Sequence, residues 1–530
     1  MAIKVIQKNE SIIPFFGDRM TIIGGLDPLG NQNTSDVTFQ MILPGLNNVT
    51  GRLRYYSYYC WLLDQYSERV GSTDPKEFKL FIRKAEYLTA LAAQFNSEDT
   101  LSISGSNYSK GVLAGDNSVI SLRDGIYKPD GDTEGTYWKF PLGIFGQYYL
   151  GSMRDIGLIT NHAIENKIYI RTESESLEFV NGASLAKAFT QNISKEGLSL
   201  FFKSLDKGEV TRSELEELLG DFSLTSIPAG TEEERLLTRM LIQKDLPRSK
   251  ESTSDFRRST IKFLLNFLEQ SGEDYSERVF IRHCYSSKGT FKSEKIPVLV
   301  GWYFYQFNEY WQYSCGAMLN GVLDYLRINY SPRAPQLSTF IEEVADAMIE
   351  KLVFKSSLTL EEILLDFESG SNSYASAIES SNSIEKATNG LSVILSLFKE
   401  NKTEIDKLHK YGKQYGLLKS GAGVEYFEKE FLPKLNWQLG DFIADFLMRK
   451  IILRHQFVAF RKMGNGSQST QKFIIEEHTI RYMDQLDESF TGPRIGNLVQ
   501  FLIDVGHLTK DYTLTKSGER LRNRLWDGAD

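Results

Sequence analysis

Cysteine is scarce in this 530-residue sequence, and the scarcity removes several chemistries at once. Cys60, Cys284 and Cys315 lie far apart and form no CxxC pair, so neither a zinc site nor a disulfide framework follows. A reducing cytoplasm is the simplest setting for such a chain. Histidine is also sparse: there are six, and no two fall at metal-ligand spacing. No GxxxxGK[ST], GxSxG, HExxH or kinase loop set occurs, and Gly24-Gly25 leads into neither a lysine nor a helix signal. The acidic residues Asp116, Asp124, Asp130 and Asp132 miss the spacing of an EF-hand loop. No metal or cofactor is therefore expected. Long hydrophobic runs are missing too: the most apolar stretch, Ile296 to Phe307, is too short to cross a bilayer and contains Gln306. The first residues, MAIKVIQKNESIIPFFGD, have no apolar signal-peptide core. The expectation is a soluble cytoplasmic protein with no membrane partner.

An excess of positive charge is absent as well. The net charge of −8 argues against a surface that binds nucleic acid everywhere, since phosphate contact needs a local surplus of Lys and Arg. Any such contact must be a patch. Glycine and proline are not enriched, so no long low-complexity region is expected. Apolar residues at 41% and charged residues at 25% suit a folded chain, and the length calls for two to four domains.

What is abundant is aromatic: 26 Tyr and 33 Phe. The densest stretch, Gly51 to Val70, reads as a helix buried on most sides, with Arg52 and Arg54 at its start. These arginines and rings could offer unpaired bases a stacking surface. The reading favoured here is that Tyr55, Tyr58, Tyr59 and Trp61 fill a core while the arginines pair with carboxylates. A second aromatic helix, 297–327, is central to its domain or holds a partner or another copy. Residues 1–50 read as irregular with short strands, marked by turns at Asp27-Pro28 and Pro44-Gly45. Asp74 and Pro75 start a helix whose expected inward stripe is Phe78, Phe81, Ile82, Ala85, Leu88, Ala92 and Phe95. Residues 96–136 suggest a surface excursion or small hairpin. Thr211 with Glu214, Thr231 with Glu234 and Thr359 with Glu362 have the capping-box pattern, and further helices are predicted over 254–270, 337–354 and 381–399. Ser369–Ser373 and Lys419–Gly423 are candidate linkers. The resulting division is 1–195, a helical middle of 196–368, a connection of 369–425, and 426–530. The fold class is mainly α, multi-domain, with small α+β units.

The tail, Gly492 to Leu525, carries the clearest functional signal. Ile495, Leu498, Leu502 and Val505 form one buried helical stripe, and Gly506 stands where a left-handed cap is wanted. Extended pieces follow near Leu508 and Tyr512–Leu514, and a last helix starts near Ser517 with Leu521 and Leu525 inward. This order resembles the winged helix-turn-helix family over the tail alone. Asp155-Ile156-Gly157-Leu158-Ile159 and Gly182 to Phe189 repeat it without the basic residues, and with a longer middle, Thr160 to Ser176. The resemblance implies a module that contacts duplex DNA or docks on a protein. Its helix face would present Arg494, Asn497 and Gln500 to base edges, while Lys510, Lys516, Arg520 and Arg524 would meet phosphates. Six cations face three carboxylates in the tail, +3 locally in a chain of −8. Leu43-Pro44-Gly45-Leu46, Arg52 to Leu63 and the duplicated junctions also resemble uncharacterised bacterial proteins of antiviral defence loci; no functional residue transfers from them.

Two runs match the R-x(4–6)-H pattern of HEPN ribonucleases: Arg449 with His455, and Arg278 with His283. In that chemistry His moves a proton and Arg holds the phosphate. A cluster of cations ending a helix is the plainer reading. The leading expectation is a DNA-associated or assembly protein that is not an enzyme. A nuclease subunit, HEPN-like or metal-dependent, and a pure scaffold are the alternatives.

Overall fold

The computed structural model describes residues 21–22, 27–47, 49–95, 103–128, 130–174, 179–244, 251–271, 275–286, 297–462, 468–492 and 494–527. The leading eighteen residues, Gly24-Gly25 and part of the 96–136 excursion lie outside them. The fold is mainly helical, with four two-stranded pairings among the described residues. No helix among these residues is long and apolar enough to cross a membrane.

Two compact units divide the chain, and neither is continuous in sequence. One comprises Met1–Ser35 and Phe307–Thr491; the other comprises Asp36–Gln306 and Gly492–Asp530. The boundaries expected near 195, 368 and 425 do not coincide with this division. Both candidate linkers lie inside the first unit. Ser371 begins the helix Ser371–Ser380, and its amide and hydroxyl both bond the Glu400 carboxylate, at 2.9 and 2.8 Å.

Within the first unit, the helix segment from Phe307 onward is flanked by the helix Ser383–Asn401 and a run of Phe and Tyr at 426–446. Trp311 stacks on Tyr426 with ring centroids 4.9 Å apart, and its indole N–H donates to the Gly421 carbonyl at 2.8 Å. Within this unit the helix Pro297–Tyr330 is buried from Phe307 to Leu323. An all-round apolar sequence needs that burial. Its aromatics therefore form core, and the helix offers no exposed apolar face there to a partner. Strands Phe473–Glu476 and Thr479–Tyr482 form a tight hairpin, turning through Glu477 at φ +48°.

The second unit is organised around the helix Arg54–Arg69. Tyr55, Tyr56, Tyr58, Tyr59 and Trp61 are all buried. Their hydroxyls find partners, as buried polar groups must: Tyr56 donates to the Gly45 carbonyl at 2.9 Å and Tyr59 to Glu86 at 2.9 Å. Arg52 pairs with Asp504 at 2.9 Å and Arg54 with Glu233 at 3.2 Å. The core reading of this stretch holds, and the base-stacking reading does not: the rings face protein.

Local signals built several neighbours as expected. The helix Pro75–Gln94 is capped by Asp74, whose carboxylate accepts from the Lys76 amide. Thr211/Glu214 and Thr359/Glu362 are complete capping boxes. Thr231 accepts from the Glu234 amide, but the Glu234 carboxylate turns to the Gly230 N–H instead. Two elements depart from expectation. Asn33–Ile42 is a helix, not irregular chain, with Phe39 and Ile42 buried. Residues 103–128 hold a short helix, Ser106–Leu113, and a strand, Val119–Ser121, that pairs antiparallel with Glu209–Thr211. That strand's partner is some ninety residues away, so no local hairpin signal could have named it.

Candidate functional site: a basic tail and the cleft beside it

The two duplicated junctions fold alike, atom for atom at their centres. In the tail, the helix Ile495–Asp504 ends, Gly506 turns at φ +66°, Leu508 bridges Leu514, and the helix Lys516–Asp527 follows. In the earlier copy, Leu150–Ile156 ends, Gly157 turns at φ +88°, Ile159–Asn161 pairs with Tyr169–Arg171, and Gly182–Gln191 follows. Thr515 Oγ1 donates to the Gly506 carbonyl at 2.6 Å and accepts from the Gly518 amide at 3.1 Å. Thr172 makes the same pair of bonds to Gly157 and Gly182, at 2.8 and 3.1 Å. Gly518 and Gly182 lie so close to the carbonyls of His507 and Leu158 that a Cβ would sit about 2.1 and 2.2 Å from the oxygen. Only glycine closes the motif.

The copies differ in what their last helix faces. In Gly182–Gln191, Leu185, Ala186, Ala188 and Phe189 are buried. In Lys516–Asp527 only Gly518, Leu521 and Leu525 are. The row Lys516, Arg520, Arg524 corresponds to Val180, Ser184, Ala188. It is exposed where its counterpart is buried or half-buried. Lys510, at the hairpin, is exposed too. Among the described residues none of these four cations has an ion-pair partner. Arg522 does, with Glu269, and this contact, the Lys262 ammonium 4.2 Å over the Trp526 ring, and Phe263 against Trp526 dock the helix on Phe256–Ser271. Like charges spaced i,i+4 repel by a few tenths of a kcal/mol each, a cost that a polyanion would relieve.

The expected base-reading face is turned inward. Arg494, held at φ +51°, pairs with Asp36 at 2.9 Å and lies 5.0 Å over the Phe39 ring. The Asn497 amide donates to the Asn47 carbonyl at 2.5 Å, and Gln500 donates to Asp504 at 2.9 Å. Asp504 also accepts from the Leu53 amide at 2.9 Å, and burial raises its pKa to about 6 against the pull of Arg52. Helical periodicity identified the buried stripe correctly. The opposite face is covered by residues 36–53, a contact no local pattern announces.

The HEPN-like pair comes apart. Arg449 is 69% exposed and bonds Asp445 at 2.7 Å, whereas His455 is 1% exposed. His455 Nδ1–H donates to the Pro28 carbonyl at 3.0 Å, and Nε2 accepts from the Lys472 amide at 3.0 Å. Burial lowers its pKa to about 4. A neutral ring with both nitrogens engaged is a structural brace, not a general base. A π-helical turn over Leu447–Ile452 carries Arg449 to the outer face. Arg278 and His283 are both exposed on the helix Glu277–Ser286, and the His283 ring lies 5.0 Å from Phe267. Among the described residues no three His, Cys, Asp or Glu converge as a metal-binding group.

Beside the tail helix opens a cleft of about 920 Å³. The helix Glu232–Ile242 lines it with Arg235 and Arg239, the next helix adds Arg258, and the tail adds Arg524; Lys244 completes the cations. The neighbouring Arg257 anchors this corner by donating to the carbonyls of Leu241, Met240 and Pro44 at 2.8–2.9 Å. Five cations face two carboxylates, Glu232 and Glu234. Both acids are engaged, one with Arg235 and the other with the Gly230 amide. Neither a protein-family model, a curated protein nor a solved structure matches the chain. The site is known by its geometry alone. Arg239 and Arg258 carry no sequence signal, because charged residues on an amphipathic helix look the same whether they face solvent or a cleft, while Lys244 and His507 stand just beyond helix ends.

His507 stands in this wall where the earlier copy has Leu158. Its Nδ1 is 2.9 Å from Ser517 Oγ and its Nε2 3.2 Å from Thr238 Oγ1. Burial, with Arg524 adding to it, lowers its pKa from 6.5 to about 4. A depressed folded-state pKa means that its contribution to stability is present above 6.5 and is lost as pH falls towards 4. At about 1.36 kcal/mol per pKa unit, the full loss is on the order of 3 kcal/mol. Asp504 acts in the opposite sense: its raised pKa adds stability that is lost as pH rises through about 6. His507→Leu should therefore flatten the acid side of the stability curve relative to wild type in urea melts from pH 6.5 to 4. Parallel curves for the two proteins would refute the assignment.

Proposed function

We propose that this chain is a duplex-DNA-associated protein that holds the phosphate backbone with its C-terminal hairpin and helix. The observation that carries the reading is the exposed row Lys516, Arg520, Arg524, with Lys510 at the hairpin, on a face that the sister copy buries. Phosphate contacts position a protein without reading sequence, and base readout needs side chains free to enter a groove. With Arg494, Asn497 and Gln500 bonded inward, contact is with the backbone and sequence preference is weak. The helix–hairpin–helix order supports a winged-helix reading in which the last helix and the wing, rather than the helix before them, face DNA. A component that holds DNA without reading it would fit the uncharacterised bacterial defence-locus proteins that Leu43-Pro44-Gly45-Leu46, Arg52 to Leu63 and the duplicated junctions resemble.

The test is binding to a mixed-sequence duplex across a salt series. Each phosphate contact contributes about 0.9 to the slope of log K against log salt. A variant with Lys510, Lys516, Arg520 and Arg524 changed to Ala should lose roughly 3 to 4 in slope. Absence of duplex binding by the wild type at low salt, or equal slopes, would overturn the reading.

A further inference from the structure

We propose that the cleft between the helix Glu232–Ile242 and the tail binds a terminal phosphate ester, either of a free nucleotide or at the phosphorylated end of a strand. The duplex reading shares only Arg524 with it.

Size is the first argument. At about 920 Å³ the cleft is at the upper end of small-molecule sites, roughly 300–1,000 Å³, which admits a nucleotide with its phosphates but no duplex. Charge is the second. Four of its five cations are arginines; the fork of Arg235 is held by Glu232, and an arginine fork matches phosphate oxygens two at a time, which leaves that role to Arg239, Arg258 and Arg524. A terminal phosphate offers three such oxygens and close to two negative charges, against one for a backbone diester. Both lining carboxylates are already engaged, and Lys244 and Arg524 have no ion-pair partner among the described residues, so the cleft is electropositive. The third argument is its uncharged lining. Thr231, Thr238 and Ser517 supply hydroxyls, while Phe179 and Ile242 give a base an apolar and aromatic surface. His507, bonded to both Thr238 and Ser517, ties two of these hydroxyls to one ring and so fixes their places in the wall.

Calorimetric titration of the full chain with adenosine triphosphate, inorganic pyrophosphate, and a single-stranded oligonucleotide with and without a 5′-phosphate tests the proposal. Arg258→Gln and Lys244→Glu are each expected to weaken binding about tenfold or more, the worth of one charge-assisted hydrogen bond. Lys244 is exposed, so its variant keeps the fold even if Arg258→Gln does not. A Lys510→Ala, Lys516→Ala, Arg520→Ala triple variant should lose duplex binding but retain these ligands, which separates failure here from failure of the duplex reading. Binding of the triphosphate or pyrophosphate assigns a free nucleotide; preference for the phosphorylated oligonucleotide alone assigns a strand end. Either upholds the site. No binding by any probe, equal binding of the two oligonucleotides without the triphosphate, or binding that neither substitution weakens overturns it.

Discussion

Glu233→Ala is expected to cost about 3–5 kcal/mol, the range for stripping one partner from a buried ion pair. Glu233 is wholly buried and Arg54 nearly so. The carboxylate accepts from Arg54 Nε and Nη2 at 3.2 and 3.3 Å, from Ser57 Oγ at 2.5 Å and from Asn192 Nδ2 at 2.7 Å. Arg54 also donates to the Ser223 carbonyl at 2.6 Å and lies 5.0 Å over Phe189. Alanine would leave that guanidinium dry and short of a counter-charge, and Ser57 and Asn192 would each lose one bond, keeping those to the Arg54 carbonyl and to Thr231 Oγ1. Urea unfolding followed by circular dichroism reads the loss. Changing both members together, Arg54→Met with Glu233→Leu, should recover most of it, because the cost lies in the unpaired charge rather than in the absence of the bridge. A single-variant loss under about 1 kcal/mol would mean that water reaches the pair. The consequence is also functional: Glu233 anchors the helix that carries Arg235 and Arg239 into the cleft.

Trp61→Ala should be about as damaging, roughly 3–5 kcal/mol. The indole is fully buried, with ring centroids of Phe189, Phe201 and Phe222 at 5.3–5.5 Å and Phe202 at 6.0 Å. Few core positions bring so many rings together, and their rigid outlines leave little freedom to collapse into the vacated space. Among the described residues, however, its N–H has no hydrogen-bond partner. Trp61→Phe removes that unpaired donor and keeps most of the ring, so its cost should stay below about 1.5 kcal/mol. The same urea melts compare the two. If phenylalanine proves as costly as alanine, the packing account of this core is wrong.

The elements that were legible in the sequence are those set by neighbours along the chain. Asp74-Pro75 opens a helix because one side chain caps an amide and the ring presets φ. Thr211/Glu214 and Thr359/Glu362 close capping boxes across three residues. Gly157 and Gly506 end helices in the left-handed region, and the matching residues around them announced a duplicated motif that the structure reproduces down to its threonine bonds. The aromatic helix Arg54–Arg69 was legible as core because no exposed helix presents so many rings.

What lay beyond the sequence depends on which distant segment covers which face. A periodic stripe identifies one buried side of the helix Ile495–Asp504, yet it is silent on Arg494 and Asn497, whose partners Asp36 and Asn47 arrive from the other end of the chain. The candidate pair Arg449/His455 had the right spacing along a helix, but burial separated a solvent-facing arginine from a braced neutral imidazole. The cleft gathers Arg239, Lys244 and Arg258 against Arg524, more than 260 residues later, by docking the tail helix on Phe256–Ser271. By itself, then, the sequence determined the helices, their caps and the basic character of the tail, since propensity, capping and charge act over a few residues. Which cations face outward, which are consumed inside, and that five of them share one cavity were decided by tertiary packing, because desolvation and Coulomb forces act on positions in space and not on order along the chain.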